Sequence, residues 1–227
     1  MGKKIITKRK IRLVPILLLL LIVFLILFVI KLIINIKIQN IYIFGNKYLS
    51  DDFIIEKAHL KNYPSYFLNF SFDISNRLEK DPFIKNASVD KHFFGVVEIT
   101  IEENKVLFYK EYDKKYVLET KEEVDSLPFI YTPVTLINYV PDTIYDNLLN
   151  KYKKLTDEII SKISEIKYDP SDYDNSRFMI YMNDGNYVYI TLSKFDSLNY
   201  YNEIYPTLEG KKGILYLDSG NHFVEIK

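Results

Sequence analysis

The residues that most readily do chemistry in this 227-residue chain are three histidines, 30 carboxylates and the serines, and their spacing is the first thing to read. His59, His92 and His222 fall in three different predicted elements. There is no H-E-x-x-H pair and no cysteine to join them, so a zinc site is not expected. Serine, aspartate and histidine are all present, but no G-x-S-x-G elbow appears, and no S-x-x-K sits in a nucleophile setting. Only seven glycines occur, too few and too scattered for a phosphate-cradling loop. The acid pairs Asp51-Asp52, Glu102-Glu103 and Glu122-Glu123 stand at a predicted helix start, strand end and turn, where capping or solvation accounts for them. No enzymatic activity, cofactor or metal is expected from these residues.

The element that must position everything else is residues 13–30, which contain neither a charge nor a hydrogen-bonding side chain. A helix of this length reaches about 27 Å at roughly 1.5 Å per residue, close to the hydrocarbon thickness of a bilayer. Lys31 interrupts the run and residues 32–36 add a further apolar turn, so the expected transmembrane helix is 13–36. The preceding residues carry Lys3, Lys4, Lys8, Arg9, Lys10 and Arg12 with no acid, a flank that stays cytoplasmic. The expected topology is single-pass with a short cytoplasmic tail (1–12) and the bulk outside. A cleaved signal peptide fits less well: the apolar core is long, and no small-residue cleavage site follows it.

The formal net charge of zero hides an asymmetry. Every acid lies at or after Asp51; beyond Lys31, 23 basic residues face 30 acids, a net charge of −7. Such a body is a poor match for nucleic acid or anionic lipid. An exterior domain without disulfides suits a bacterial surface.

Residues 37–44 read as a strand closed by the turn pair Gly45-Asn46. Ser50 is placed to cap a helix, with Asp51 and Asp52 in its first turn. Asp73 reads as a second cap, for a short helix that Pro82 stops. Residues 84–94 and 96–103 read as two strands; Ile84, Asn86, Ser88 and Asp90 share one face of the first, and Val97, Ile99 and Ile101 share one face of the second. The order is β-α-α-β-β. Further on, 106–109 and 116–119 are short strands. The stripe Ile144, Leu148, Tyr152, Leu155, Ile159, Ile163 predicts one helix over 143–162, capped by Asp142. Residues 163–168, 178–182 and 187–191 form a meander, its second turn Asn183-Asp184-Gly185-Asn186. A helix over 193–208 with Phe195, Leu198, Ile204 and Leu208 inward precedes strands 214–217 and 223–226. Strands in series with helices on one face make the fold class α+β.

The run of Gly45-Asn46, then Leu78, Pro82, Ile84, Ala87 and Val89, then Val97, Ile99, Ile101 and Glu103, directly after a membrane anchor, resembles the POTRA domain of the FtsQ/DivIB cell-division family. Phe94-Gly95 and Asn104 stand where that family usually has a proline and an arginine. "M-N-D-G-N-Y-V" and "K-G-I-L-Y-L-D-S-G" are similar to the β domain of the same family. The resemblance implies a POTRA domain over 37–104 and a C-terminal β domain over 105–227.

It further implies a non-enzymatic divisome scaffold at the septum. The implied partners are coiled-coil division proteins of the FtsL and FtsB/DivIC type, together with the septal peptidoglycan synthase. A membrane-anchored POTRA-type chaperone or transport factor is the alternative, disfavoured by a single POTRA unit and no β-barrel sequence. In the family a partner strand adds to the terminal edge of the β domain, which points here to Ile214, Leu215, Tyr216, Leu217 and Asp218, with Tyr216 and Asp218 on one face. On that reading a proline at Tyr216 abolishes partner binding while the domain stays folded.

Overall fold

The computed structural model describes residues 13–226, so the expected cytoplasmic tail lies outside the described residues. Helix α1 (Leu13–Ile34) has no buried residue and is long and apolar enough to cross a membrane. Its 22 residues span about 33 Å at ~1.5 Å per residue. Lys31 sits in its last turn, and the chain turns out of the helix through Asn35 N–H to Lys31 C=O (3.2 Å) and Ile36 N–H to Ile33 C=O (3.1 Å).

The chain divides into two compact units. The first holds α1 through Asn46, Asp51–Asp81 and Asn86–Glu102. Its strands are β1 (Asn40–Phe44), β2 (Ile84–His92) and β3 (Val96–Glu103), in the order β1-β3-β2 with β1 parallel to β3. Helices α2 (Asp51–Lys57) and α3 (Ser71–Leu78) bury Ile54, Ile74 and Leu78 together with Val97, Ile99 and Ile101 of β3. The alternation of β3 is therefore the one its sequence predicts, because one face is core and the other is water. In β2 the expected faces change: Ile84 and Ala87 are both buried, and regular alternation begins only after them. Asp73 lies inside the first turn of α3, and Phe70 occupies the cap position without a side-chain cap bond.

Gly45 follows β1 with φ +83°, and a Cβ there would stand 2.1 Å from the carbonyl oxygen of Ile101. Both the left-handed backbone and the close approach require glycine.

The second unit comprises Lys47–Ser50, Pro82–Lys85 and the chain from Glu103. Within it the Glu103 carboxylate accepts the amides of Lys47 (2.9 Å), Tyr48 (3.0 Å) and Leu49 (2.8 Å). Asn104 is buried and donates its side-chain amide to Pro82 C=O at 2.7 Å. The strands are β4 (Val106–Lys110), β5 (Lys115–Leu118), β6 (Glu123–Val124), β7 (Val134–Leu136), β8 (Ile163–Tyr168), β9 (Arg177–Met182), β10 (Tyr187–Thr191), β11 (Gly213–Tyr216) and β12 (His222–Glu225). They form one nine-stranded mixed sheet in the order β12-β11-β10-β9-β8-β7-β4-β5-β6.

Helices α4 (Asp142–Tyr152), α5 (Asp157–Ile160) and α6 (Tyr201–Ile204) contribute Leu148, Tyr152, Ile159 and Tyr201 to a core shared with Phe108, Ile166, Phe178, Ile180 and Val188 of the sheet. The single helix expected over 143–162 is two. The Thr156 amide goes to Asn199 Oδ1 (2.9 Å) and its hydroxyl accepts the Ile159 amide (3.4 Å), so the chain restarts there as α5. Asp142 belongs to the first turn of α4, one position inside the cap, which Pro141 holds.

The helix expected over 193–208 is mostly 3₁₀: Leu192–Tyr200 and Tyr205–Leu208 flank the single α turn of α6. Leu192, Phe195, Leu198 and Tyr201 are all buried at a spacing of three, the period at which 3₁₀ side chains eclipse.

Replacing Gly45 by alanine is expected to cost about 2 kcal/mol or more, since the left-handed φ alone costs roughly 1–2 kcal/mol and the Ile101 carbonyl must also move. Gly210→Ala is the control: φ is +77° there, but no atom lies within 4 Å of an added Cβ. Thermal unfolding of the detergent-solubilised chain, followed by circular dichroism, should show the larger loss for Gly45→Ala.

Candidate interaction surface

Sheet alternation gives the second unit two unlike faces. Phe178, Ile180, Met182, Val188, Ile190 and Leu215 point into the helix-covered core. The other face carries Arg177, Met179, Tyr181, Tyr187, Tyr189, Ile214 and Tyr216, all half-buried, with exposed His222 at its margin. Strand register lines up Met179, Tyr189, Tyr216 and His222 across β9 to β12, and Arg177, opposite Thr191, stands diagonal to Tyr189. The Tyr216 and His222 rings stack at 4.8 Å with 4° between planes, Tyr216 and Tyr189 at 5.4 Å, and the Arg177 guanidinium lies 4.6 Å over Tyr189. Arg177 is fixed from behind by donating to the Asp169 carbonyl and carboxylate, both at 2.9 Å. Partial burial, with the Asp169 carboxylate, raises the Tyr189 phenol above its usual range, so it remains a neutral hydrogen-bonding group.

The free edges of this sheet belong to β12 and β6. The expectation that Ile214–Asp218 forms the terminal edge is corrected here. β11 is flanked by β10, in parallel, and by β12, antiparallel. Leu217 N–H reaches Tyr189 C=O at 2.9 Å on one side, and Ile226 N–H reaches Lys212 C=O at 3.0 Å on the other. Leu215 and Leu217 are core residues; Ile214 and Tyr216 lie on the open face. Asp218 lies past the strand end, its amide donated to Tyr189 C=O (3.1 Å) and its carboxylate 3.8 Å from Arg177. By alternation from Ile226, the Tyr216 amide faces β12, so a proline there would break the β11–β12 ladder instead of sparing the fold.

The same alternation turns the amides and carbonyls of Phe223 and Glu225 outward. Val224 and Ile226 are exposed beside them. The opposite edge, β6, has two residues, and Glu123 is tied to Lys110 at 2.7 Å. A short, charged edge of that kind discourages strand addition. β12 is the longer of the two edges, with four residues.

What seats β12 is glycine. A Cβ on Gly213 would stand 2.2 Å from the carbonyl oxygen of Val224. The Gly213 amide is donated to the buried Asn186 Oδ1 (2.9 Å), Asn186 donates to the Tyr201 hydroxyl (3.2 Å), and that hydroxyl donates to Asp184 (2.7 Å). Burial and the Asp184 carboxylate push the Tyr201 phenol far up, so it stays a donor. The hairpin 183–186 thus holds the start of β11. In the adjoining depression, lined by Ser161, Lys162, Asn183, Asp184, Tyr201 and Tyr205, Asp184 and Tyr201 belong to this support, while Lys162 bonds Asn202 and Asn183 bonds the Ser161 carbonyl. His92 pairs with Glu98 at 3.5 Å and His222 stacks on Tyr216; among the described residues no three His, Asp or Glu side chains gather as a metal site.

The sequence reading missed Arg177, Tyr181, Tyr187 and Tyr189. Their signal lay in the tyrosines alternating with Val188 and Ile190 in "Y-V-Y-I-T".

Two helices on a three-stranded sheet, after a helix long and apolar enough to cross a membrane, give the first unit the make-up of a POTRA domain. The family model for a POTRA domain, FtsQ-type, matches residues 36–104. Cell division protein DivIB of Bacillus cytotoxicus is 32% identical over 195 residues, covering 82% of this chain and 75% of that protein. DivIB of Listeria monocytogenes is 30% identical over 199 residues (82% and 72%), and DivIB of Bacillus subtilis 28% over 196 residues (83% and 74%). The chain belongs to the DivIB family of cell division proteins. A solved structure of the major extracytoplasmic domain of DivIB from Geobacillus stearothermophilus aligns with 48% of this chain and 96% of that one, at 24% identity and a TM-score of 0.37.

Gly213→Ala is expected to detach β12, since the Val224 carbonyl cannot stay in place. Amide exchange at Val224 and Ile226, read by mass spectrometry, should become fast, while exchange in β9 and β10 stays slow.

Proposed function

We propose that this DivIB-family protein is a non-enzymatic scaffold that bridges division proteins at the septum, and that β12 captures a partner strand. Its N-terminus is cytoplasmic, from the basic flank before α1, and the chain beyond α1 lies outside. The observation that carries this reading is the pairing of a free edge, β12, with the ladder Arg177–Tyr189–Tyr216–His222 beside it. An added strand gains main-chain bonds from Phe223 and Glu225, and its side chains meet tyrosines, the residue type favoured at binding hot spots. The partners proposed are the coiled-coil proteins of the FtsL and FtsB/DivIC type, with the septal peptidoglycan synthase reached through the assembly. The Ile214–Asp218 segment supports this surface from the inner side, Tyr216 contributing its ring.

Titration of the detergent-solubilised chain with the ectodomains of the two coiled-coil proteins tests the proposal. Glu225→Pro removes only an outward amide and keeps the β11 ladder. It should weaken binding at least about tenfold, ~1.4 kcal/mol, with unchanged thermal stability. Unchanged affinity for that variant rules out strand addition at β12.

A further inference from the structure

The first unit exposes an apolar collar that neither its core nor the division role described above uses. Phe93 and Phe94 sit at the bend between β2 and β3 and are 89% and 94% exposed. Phe94 has φ +65° and ψ +27°, a conformation that a bulky side chain rarely adopts, yet the ring packs on nothing that would compensate. Phe67, Leu68 and Phe70, on the loop into α3, and Phe72, in the first turn of α3, are exposed as well.

Both groups are fastened to the few residues that leave α1. Tyr66 N–H donates to Ile36 C=O (2.8 Å), Ile38 N–H to Pro64 C=O (3.0 Å), and Gln39 N–H to Gly95 C=O (2.8 Å). A Cβ on Gly95 would stand 2.8 Å from the Lys37 carbonyl oxygen, so the bend lies directly against this segment. The two loops are also joined to each other, for Tyr66 O–H donates to His92 C=O at 2.9 Å and Lys91 Nζ donates to the carbonyls of Tyr66 and Asn69.

Gln39 is five residues past the end of α1, at most about 17 Å of extended chain at ~3.4 Å per residue. If α1 fills the hydrocarbon layer, the headgroup layer outside it is roughly 5–8 Å deep. The tether therefore keeps Gln39 within about 10 Å of the outer face of the headgroup layer, near enough for the collar to reach the depth where amphipathic and aromatic groups settle at a membrane surface.

We infer that the collar of Phe67, Leu68, Phe70, Phe72, Phe93 and Phe94 inserts into the interfacial layer of the bilayer that α1 crosses, docking the first unit on the membrane. The inference rests on α1 being a membrane span. The left-handed bend at Phe94 then has a use: it directs two adjacent rings outward from the same corner.

The chain contains no tryptophan, so a single introduced one reports alone. Phe94→Trp, Phe93→Trp and Phe24→Trp are prepared in the full chain and reconstituted into phosphatidylcholine vesicles whose acyl chains carry bromine near the headgroup or near the bilayer centre. Phe24, in the middle of α1, reports whether the helix spans. The expected result is blue-shifted emission from Phe94→Trp and Phe93→Trp, quenched more by shallow bromine than by deep bromine, with the opposite order for Phe24→Trp. Quenching of Phe24→Trp alone, with the two bend variants emitting as in water and open to aqueous iodide, overturns the inference and leaves the span intact. Blue-shifted bend variants that neither bromine nor iodide quenches overturn it too, since a protein then covers the collar. No bromine quenching at Phe24→Trp removes the span and the inference with it.

Discussion

The approach of β12 to β11 at Gly213 is the constraint on which the candidate surface depends. With no Cβ at that position the Val224 carbonyl can sit where any other residue would place its side chain. That approach decides three things together. It makes β12 the last strand of the sheet, turns Tyr216 from an edge residue into an inner one, and brings His222 within stacking distance of the Tyr216 ring. The buried amide of Asn186 holds the same glycine from the other side, so a hairpin distant in sequence sets where the terminal strand begins.

The division of labour across the sheet follows from one rule. Alternating side chains send Val188, Ile190 and Leu215 to the helices and leave Tyr187, Tyr189 and Tyr216 on the open face. Burying the first set stabilises the unit by roughly 1.5–3 kcal/mol per large apolar side chain. The second set stays half-buried, and an arginine locked by Asp169 keeps one end of its ladder in place. The first unit repeats the scheme on a smaller scale, with β3 at the centre and its apolar face turned to α2 and α3. Its loops carry what the core does not use.

Much of this was legible in the sequence wherever the signal is local. The apolar helix α1, the inward face of β3, the turn at Gly45 and the hairpin at 183–186 each rest on residues within a few positions of one another. The long helix expected over 143–162 failed because an unbroken apolar stripe does not reveal that Asn199, far along the chain, takes the Thr156 amide. The run from Leu192 to Tyr201 carried a spacing of three that distinguishes a 3₁₀ helix from an α-helix, and the reading followed only part of it.

By itself, then, the sequence determined an apolar N-terminal helix, an α+β fold class, and a family likeness carried by short motifs at fixed separations. Only the tertiary structure decided which strand ends the sheet and which tyrosines share its open face. Hydrophobic period and turn residues specify how a segment folds and which of its sides is buried. They do not specify its neighbours, and β11 reaches its place beside β10 only after the chain has crossed the sheet through Leu192–Leu208. Strand order is a property of contacts between distant residues, so the edge that a partner would meet could be found only once those contacts were formed.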